Sequence, residues 1–226
     1  MVSQFLSKDW NLLLIIYEVI ELYNPLEFVL DDIMVNSGLS CIGGQNGVIT
    51  VMACFRTYSI ILACDSKGGI GRANAIPWQL KEDMAFFRKL TIGSDPAVKK
   101  NTVIMGRKTY ESLPNGPLGH RNNIVILRVS IRKLALEGIV LADSLDAALS
   151  LAPTEGDIFA IGGKRIFEEA LKDPRCKTVY LTRVDGDYAC DVTVSLDLTP
   201  YELVSSTRST LSSTGVGYYM EEWVRG

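Results

Sequence analysis

A chain of 226 residues that is 47% hydrophobic and 22% charged can bury one sizeable core, and nothing in its composition points to a fibre, a collagen or a disordered chain. Its 23 Lys and Arg against 26 Asp and Glu give a net charge of -3 with no basic stripe to neutralise a phosphate backbone, so nucleic acid is not an expected partner. The single histidine, His120, excludes most Ser-His-Asp, Cys-His and multi-histidine metal mechanisms. Cys41, Cys54, Cys64, Cys176 and Cys190 form no C-x-x-C pair, which speaks against a bound metal and for a reducing, cytoplasmic compartment.

The first fifty or so residues differ in character from the rest. The apolar run Leu12 to Ile16 is cut by Glu18 and Glu21, short of the ~18 uncharged residues a membrane span needs. No small-x-small site closes it as in a signal peptide. Asp9, Glu18, Glu21, Glu27, Asp31 and Asp32, with no Arg, are wrong for a transit peptide. An amphipathic helical extension is expected, docking on a partner or on the remaining chain. Asn36 to Gly47, with Gly38, Gly43, Gly44 and Gly47, has linker chemistry. Residues 1–51 are thus read as a dispensable extension with its linker, and 52–226, starting at Met52, as one compact domain.

From Thr57 onward strand and helix patterns alternate. Tyr58 to Cys64, Thr102 to Met105, Ile124 to Leu127, Ile158 to Ile161 and Thr178 to Thr182 are short apolar runs suited to strands buried on both faces. Leu80 to Leu90, Lys108 to Leu113, Ser144 to Leu151 and Lys164 to Lys172 read as helices. This alternation predicts an α/β fold with a mostly parallel central sheet and helices on both faces. Tyr201 to Ser206 and Gly217 to Val224 add an antiparallel C-terminal strand pair.

Open α/β sheets bind ligands at the carboxyl ends of their strands, so the strand-to-helix junctions carry the candidate chemistry. Gly162-Gly163 followed by Lys164-Arg165-Ile166-Phe167 lets backbone amides approach a pyrophosphate, although such a pair is also an ordinary tight turn. Gly106-Arg107-Lys108-Thr109 is either a phosphate site or a helix start with solvated cations, and it lacks the Walker A spacing. Gly69-Ile70-Gly71 lacks the third glycine of a dinucleotide fingerprint and is read as a mobile loop. After Ile76-Pro77-Trp78, a helix from Leu80 places Asp83 on one face with Leu80, Met84 and Phe87. A carboxylate among apolar neighbours is either functional or a first-turn acid complementing the helix dipole.

In order and spacing, Ile60-Ile61-Leu62-Ala63, Gly69-Ile70-Gly71, Ile76-Pro77-Trp78, Asp83, Phe86-Phe87, Val103 to Thr109, Pro117-Leu118 to Arg121, Ile161-Gly162-Gly163 and Tyr180-Leu181-Thr182 resemble dihydrofolate reductase. The resemblance runs from about Tyr58 to the C-terminus and leaves out the extension. It implies NADPH-dependent reduction of 7,8-dihydrofolate to 5,6,7,8-tetrahydrofolate, hydride to C6 and proton to N5, supporting one-carbon and thymidylate metabolism. The implied catalytic group is Asp83, which accepts hydrogen bonds from the pterin N3 and 2-amino group, with Trp78 and Thr182. Ile61, Ile76, Phe87, Leu113, Leu118 and Ile161 are implied to enclose the substrate, and Arg121 to pair with the carboxylate of its glutamate tail. The implied cofactor residues are Ala63, Ile70, Gly71, Gly106, Arg107, Lys108, Thr109, Arg128, Ile161, Gly162, Gly163, Lys164, Arg165, Ile166 and Phe167. Arg107 and Arg128 favour NADPH over NADH through the 2′-phosphate.

Four departures bear on cofactor affinity and on the loop around Cys190. Lys164 stands where the family has a third glycine, Phe167 where tyrosine is common, Leu127 before Arg128, and Asp191-Val192-Thr193-Val194 in place of the usual segment. Two other readings stay open: a same-fold reductase of a pyrimidine riboside in riboflavin synthesis, and a non-catalytic folate or NADPH-binding module. The expected partners are the small-molecule substrate and cofactor, with no nucleic acid and no membrane, acting on a monomer.

Overall fold

The computed structural model describes the backbone of 39–42 and 50–53 and all of 56–127, 138–207 and 210–226. The chain divides into two compact units, Met1–Phe55 and Arg56–Gly226. In the first, β1 (Leu39–Ile42) pairs antiparallel with β2 (Thr50–Ala53), Leu39 opposite Ala53 and Ile42 opposite Thr50. β1 therefore lies inside the stretch read as linker: the run Leu-Ser-Cys-Ile sits between the glycines, which flank it without interrupting it. Met52 lies in β2. The helical reading of the residues before Leu39 falls outside the described residues.

The second unit opens with β3 (Tyr58–Cys64) and β4 (Gly69–Gly71), followed by α1 (Lys81–Ile92), β5 (Thr102–Gly106) and α2 (Arg107–Glu111). It continues with β6 (Asn122–Ile126), β7 (Ile139–Ala142), α3 (Leu145–Leu151), β8 (Ile158–Gly162) and α4 (Lys164–Ala170). It closes with β9 (Cys176–Val184), β10 (Val192–Thr193), β11 (Tyr201–Ser206), β12 (Thr210–Leu211) and β13 (Gly217–Arg225). The main sheet has the order β11-β13-β9-β3-β8-β5-β6-β7, with β12 on β13. The block from β9 to β7 is parallel throughout, and β13 runs antiparallel to both β9 and β11. This is the α/β architecture expected from the sequence, with its antiparallel C-terminal pair.

The two-residue period of the strands splits the core between the faces of the sheet. Ile60, Leu62, Ile104, Ile124 and Ala160 pack with Leu145, Ala148 and Leu149 of α3 and Ile166, Phe167 and Ala170 of α4. Ile61, Val103, Met105, Val125 and Phe159 point the other way, toward Phe86, Phe87 and Leu90 of α1 and Tyr110 of α2. Burying apolar surface on both faces, at roughly 25 cal/mol per Å², is what keeps these strands apolar along their whole length. α3 starts where Ser144 stands as its cap, the hydroxyl accepting from the Ala147 N–H at 3.2 Å.

From β3 the chain crosses to β5, moves outward through β6 and β7, then returns to β8 beside β3 and leaves on the opposite side to β9. Strand order therefore reverses at β3 and β8. A crevice opens at the carboxyl ends of such a pair, which here are Ala63-Cys64 and Ile161-Gly162, with Gly106 and Thr182 ending or nearing the ends of the flanking strands.

Two short elements differ from the sequence reading. Gly69–Gly71 is not a loop but β4, paired antiparallel with β10, so Gly71 faces Val192. A side chain at Gly69 would meet the Cys190 Cβ at 2.5 Å, so glycine serves close packing here. β7, with Val140 and Leu141 exposed at the sheet edge, is an apolar run as long as those of β5 and β8 but is not among the strands read from the sequence.

Candidate active site

Asp83 stands in the first turn of α1, and the Thr182 hydroxyl of β9 donates to its Oδ1 at 2.6 Å. Thr182 is only 3% exposed, on the same face of β9 as Tyr180, whose ring meets Phe86 edge-on at 6.1 Å. Burial pushes the Asp83 carboxyl above its ordinary value, and the Thr182 hydrogen bond opposes this without cancelling it. Trp78 is buried in a cluster with Leu80 and Val184, joined by Ala63, and its ring meets Tyr188 edge-on at 5.3 Å. A cleft of about 330 Å³ is lined by Ile76, Trp78, Gln79, Leu80, Lys81, Asp83 and Met84.

The sequence placed Leu80, Met84 and Phe87 beside Asp83 on one buried face. Leu80 is buried but precedes the helix as its cap residue, and Phe87 packs against the sheet. Met84 is 53% exposed and Ile76 55% exposed, so these two form the lip of the cleft and not its floor. The apolar wall lies further along α1, where Phe87, Leu113, Leu118 and Ile161 gather on Ile61, Val103 and Met105. Leu118 is pinned on both sides of its peptide: its N–H donates to Asn123 Oδ1 at 2.9 Å and its carbonyl accepts from Asn123 Nδ2 at 2.9 Å.

At the far end of this wall the Arg121 guanidinium stands 5.8 Å from the Phe87 ring centroid and donates to Thr91 Oγ1 at 2.8 Å and to the Gly119 carbonyl at 3.0 Å. Burial and the neighbouring Arg88 lower its pKa. A desolvated guanidinium beside a second cation is a receptor for a carboxylate.

On the other side of the crevice the two glycine junctions meet. A Cβ at Gly163 would touch Thr109 Oγ1 at 3.3 Å, one at Gly162 would touch the Phe167 ring at 3.3 Å, and one at Gly106 would lie 3.8 Å from the Gly163 nitrogen. The starts of α2 and α4 are thus side by side, with bare backbone between them. Gly162 has φ +124°, a conformation that side chains disfavour. Lys108, Lys164 and Arg165 are exposed there. Arg107 is ion-paired with Glu111 one turn on at 2.5 Å, and Lys164 with Glu168 at 3.8 Å, so both cations have partners on their own helices. Ile166 and Phe167 are buried on the inner face of α4 and pack beneath this backbone. Ile70 also packs on the core. Arg128 lies outside the described residues.

Several residues that shape the site were not singled out from sequence. Thr91 is fully buried; its hydroxyl donates to the Phe87 carbonyl at 2.7 Å while receiving Arg121. A threonine bonding back four residues is a readable helical habit, but its partner Arg121 lies thirty positions away. Asp65, buried at the end of β3, accepts from the N–H groups of Lys67, Gly69 and Tyr188 at 2.9, 2.7 and 3.2 Å. Burial raises its pKa, but these amides and the Cys190 thiol outweigh that, leaving the carboxyl below the ordinary value. It fixes β4 and the Cys190 loop beside the crevice. Asp191, in the segment that departs from the family pattern, accepts from the Ala73 N–H at 2.9 Å.

The comparisons with known proteins point to one family. The family model for dihydrofolate reductase matches residues 57–225. A bifunctional dihydrofolate reductase-thymidylate synthase of Paramecium tetraurelia is 38% identical over 167 residues, which is 74% of this chain and 34% of that protein. A putative dihydrofolate reductase of human herpesvirus 8 type P (isolate GK18) is 37% identical over 183 residues, 75% of this chain and 86% of that protein. The chain spans about a third of the length of the bifunctional relatives it matches. A solved dihydrofolate reductase from Enterococcus faecalis, complexed with NADP(H) and RAB-propyl, superposes with a TM-score of 0.65 at 25% identity, over 75% of this chain and 96% of that one. With the motifs in order, the sheet topology and the Asp83–Thr182 pair all in place, the chain belongs to the dihydrofolate reductase family.

Proposed function

We propose that the protein catalyses NADPH-dependent reduction of 7,8-dihydrofolate to 5,6,7,8-tetrahydrofolate. The observation that carries this reading is the Asp83 carboxyl, desolvated at the cleft and hydrogen-bonded to Thr182. A flat ring with adjacent N–H and amino donors suits such an acceptor, and the Phe87, Leu113 and Leu118 wall suits the apolar rings that follow. Arg121 takes the tail carboxylate.

The fit of a dinucleotide rests on the cradle formed by Gly106, Gly162 and Gly163, where side chains would intrude on Thr109 and Phe167. Gly163, Lys164 and Arg165 would hold the pyrophosphate from the α4 side, over the buried Ile166, and Arg107, Lys108 and Thr109 the remaining phosphate from the α2 side. When bound, NADPH supplies the hydride for C6. The chain itself contributes orientation and proton control. Asp83 fixes the pterin edge, and burial, which favours its protonated form, suits it to relay a proton to N5 through water. Trp78 and Leu80 close the apolar side of the cleft, so this exchange is confined to its mouth.

We further propose that the enzyme acts as a monomer in a reducing, cytoplasmic compartment; the buried free thiols of Cys64 and Cys176 support the latter. The test is oxidation of NADPH by the purified chain: it should occur only with dihydrofolate present. Tight folate binding without turnover would identify a binding module, and turnover of a pyrimidine riboside instead would identify a different reductase.

A further inference from the structure

α1 begins without a side-chain cap, because Leu80 has no group to offer its first N–H donors. Glu82, beside Asp83, fills part of that role. Its carboxylate accepts from the Ser213 N–H at 2.9 Å, and this bond, with the Glu82 N–H close beside it, holds the carboxyl below the ordinary range. Its other oxygen, Oε2, is shielded and has no hydrogen-bond partner among the described residues.

The turn that meets it is tightly built. The Ser212 side chain is buried, and its hydroxyl accepts from the Thr214 and Val216 N–H groups at 3.2 and 2.9 Å. Thr214 then donates from Oγ1 to the Gln79 carbonyl at 2.6 Å. The turn thus grips the Trp78–Asp83 segment at two points, Gln79 and Glu82. It leads directly into β13, which pairs with β9 so that Met220 lies opposite Thr182. Asp83 is reached from one strand of this pair, through Thr182, and the segment carrying it is held from the other.

We propose that Glu82 is a positioning residue, clasping the 212–216 turn so that the Trp78–Asp83 segment stays closed and Asp83 stays desolvated against Thr182. This rests on the role given to Asp83 above. The groups facing Asp83 are Thr182 from β9 and the cleft-lining Trp78, Gln79 and Lys81; none but the Thr182 hydroxyl and burial itself shifts its titration. Opening the segment therefore acts on Asp83 through water.

The test is a carboxyl-carbon NMR titration of Asp83 in the full chain, assigned with Asp83→Asn, and it is independent of turnover. In Glu82→Ala the Asp83 midpoint should fall by about half a pH unit or more, roughly threefold in the protonation equilibrium. The descending limb of the pH–rate profile should move the same way, with kcat reduced more than KM is changed. Glu82→Gln keeps an acceptor for Ser213 and should restore most of the parental midpoint. Thr214→Val should lower it too, and the double variant should fall short of the sum. An unchanged Asp83 midpoint in a folded Glu82→Ala protein overturns the proposal. Equal shifts in Glu82→Gln and Glu82→Ala also overturn it, because the charge and not the clasp would then be acting. If dihydrofolate is not reduced at all, the functional reading fails while the titration still reports on the clasp.

Discussion

Asp83 is a carboxyl that the fold makes harder to ionise, and the sign of that effect can be followed in two measurements. Its folded pKa lies above the unfolded value near 3.9, so its contribution to stability is fully present below the unfolded pKa and is lost as pH rises through the folded one. Asp83→Asn should therefore raise the neutral-pH Tm relative to the parent, with the gain shrinking as pH drops toward 4. The same variant should lose about 10²–10⁴-fold in kcat/KM, the usual worth of a positioned acid or base. Thr182→Val removes the one hydrogen bond that lowers the Asp83 pKa, so the descending limb of the pH–rate profile should move to higher pH, opposite to Glu82→Ala. Arg121→Gln removes a charged partner for the substrate tail. It should raise KM for dihydrofolate by about 10–100-fold, the worth of a hydrogen bond to a charged group, with kcat nearly unchanged.

At the scale of elements, the glycine junctions carry the greatest consequence for the cofactor. Gly162→Ala would place a methyl 3.3 Å from the Phe167 ring at a φ of +124°. It should cost about 1–3 kcal/mol in chemical denaturation, and it should weaken NADPH binding measured by quenching of protein fluorescence. These junctions were legible in the sequence because each joins an apolar run to a helix pattern through glycine. β3 runs over Tyr58–Cys64 as its apolar run predicts, and Asp83 stood out by its helical spacing. What sequence could not supply was pairing. β4 reads as a loop because its partner β10 lies about 120 positions away and contributes only two residues. The contact of Glu82 with Ser213, 131 positions later, likewise leaves no local signal. Local patterns fix faces and periods, but long-range hydrogen bonds to single side chains leave no period to detect.

Across the whole molecule, the reversal of strand order between β3 and β8 gathers the site from four strands separated widely in sequence. The carboxyl ends of β3 and β8 give the central backbone, β5 the second glycine junction, and β9 the hydroxyl that meets Asp83. The C-terminal β11–β13 pair is part of that design, because β13 supports β9 and carries the turn that holds Gln79 and Glu82. The departures at Lys164 and Phe167 lie in α4 and are not among the residues lining the Asp83 cleft. The most direct test of the account is the loss of NADPH absorbance at 340 nm with the full purified chain and dihydrofolate. Steady oxidation that needs dihydrofolate and is nearly abolished in Asp83→Asn is the predicted result; oxidation that is absent, or that persists undiminished in Asp83→Asn, would contradict it.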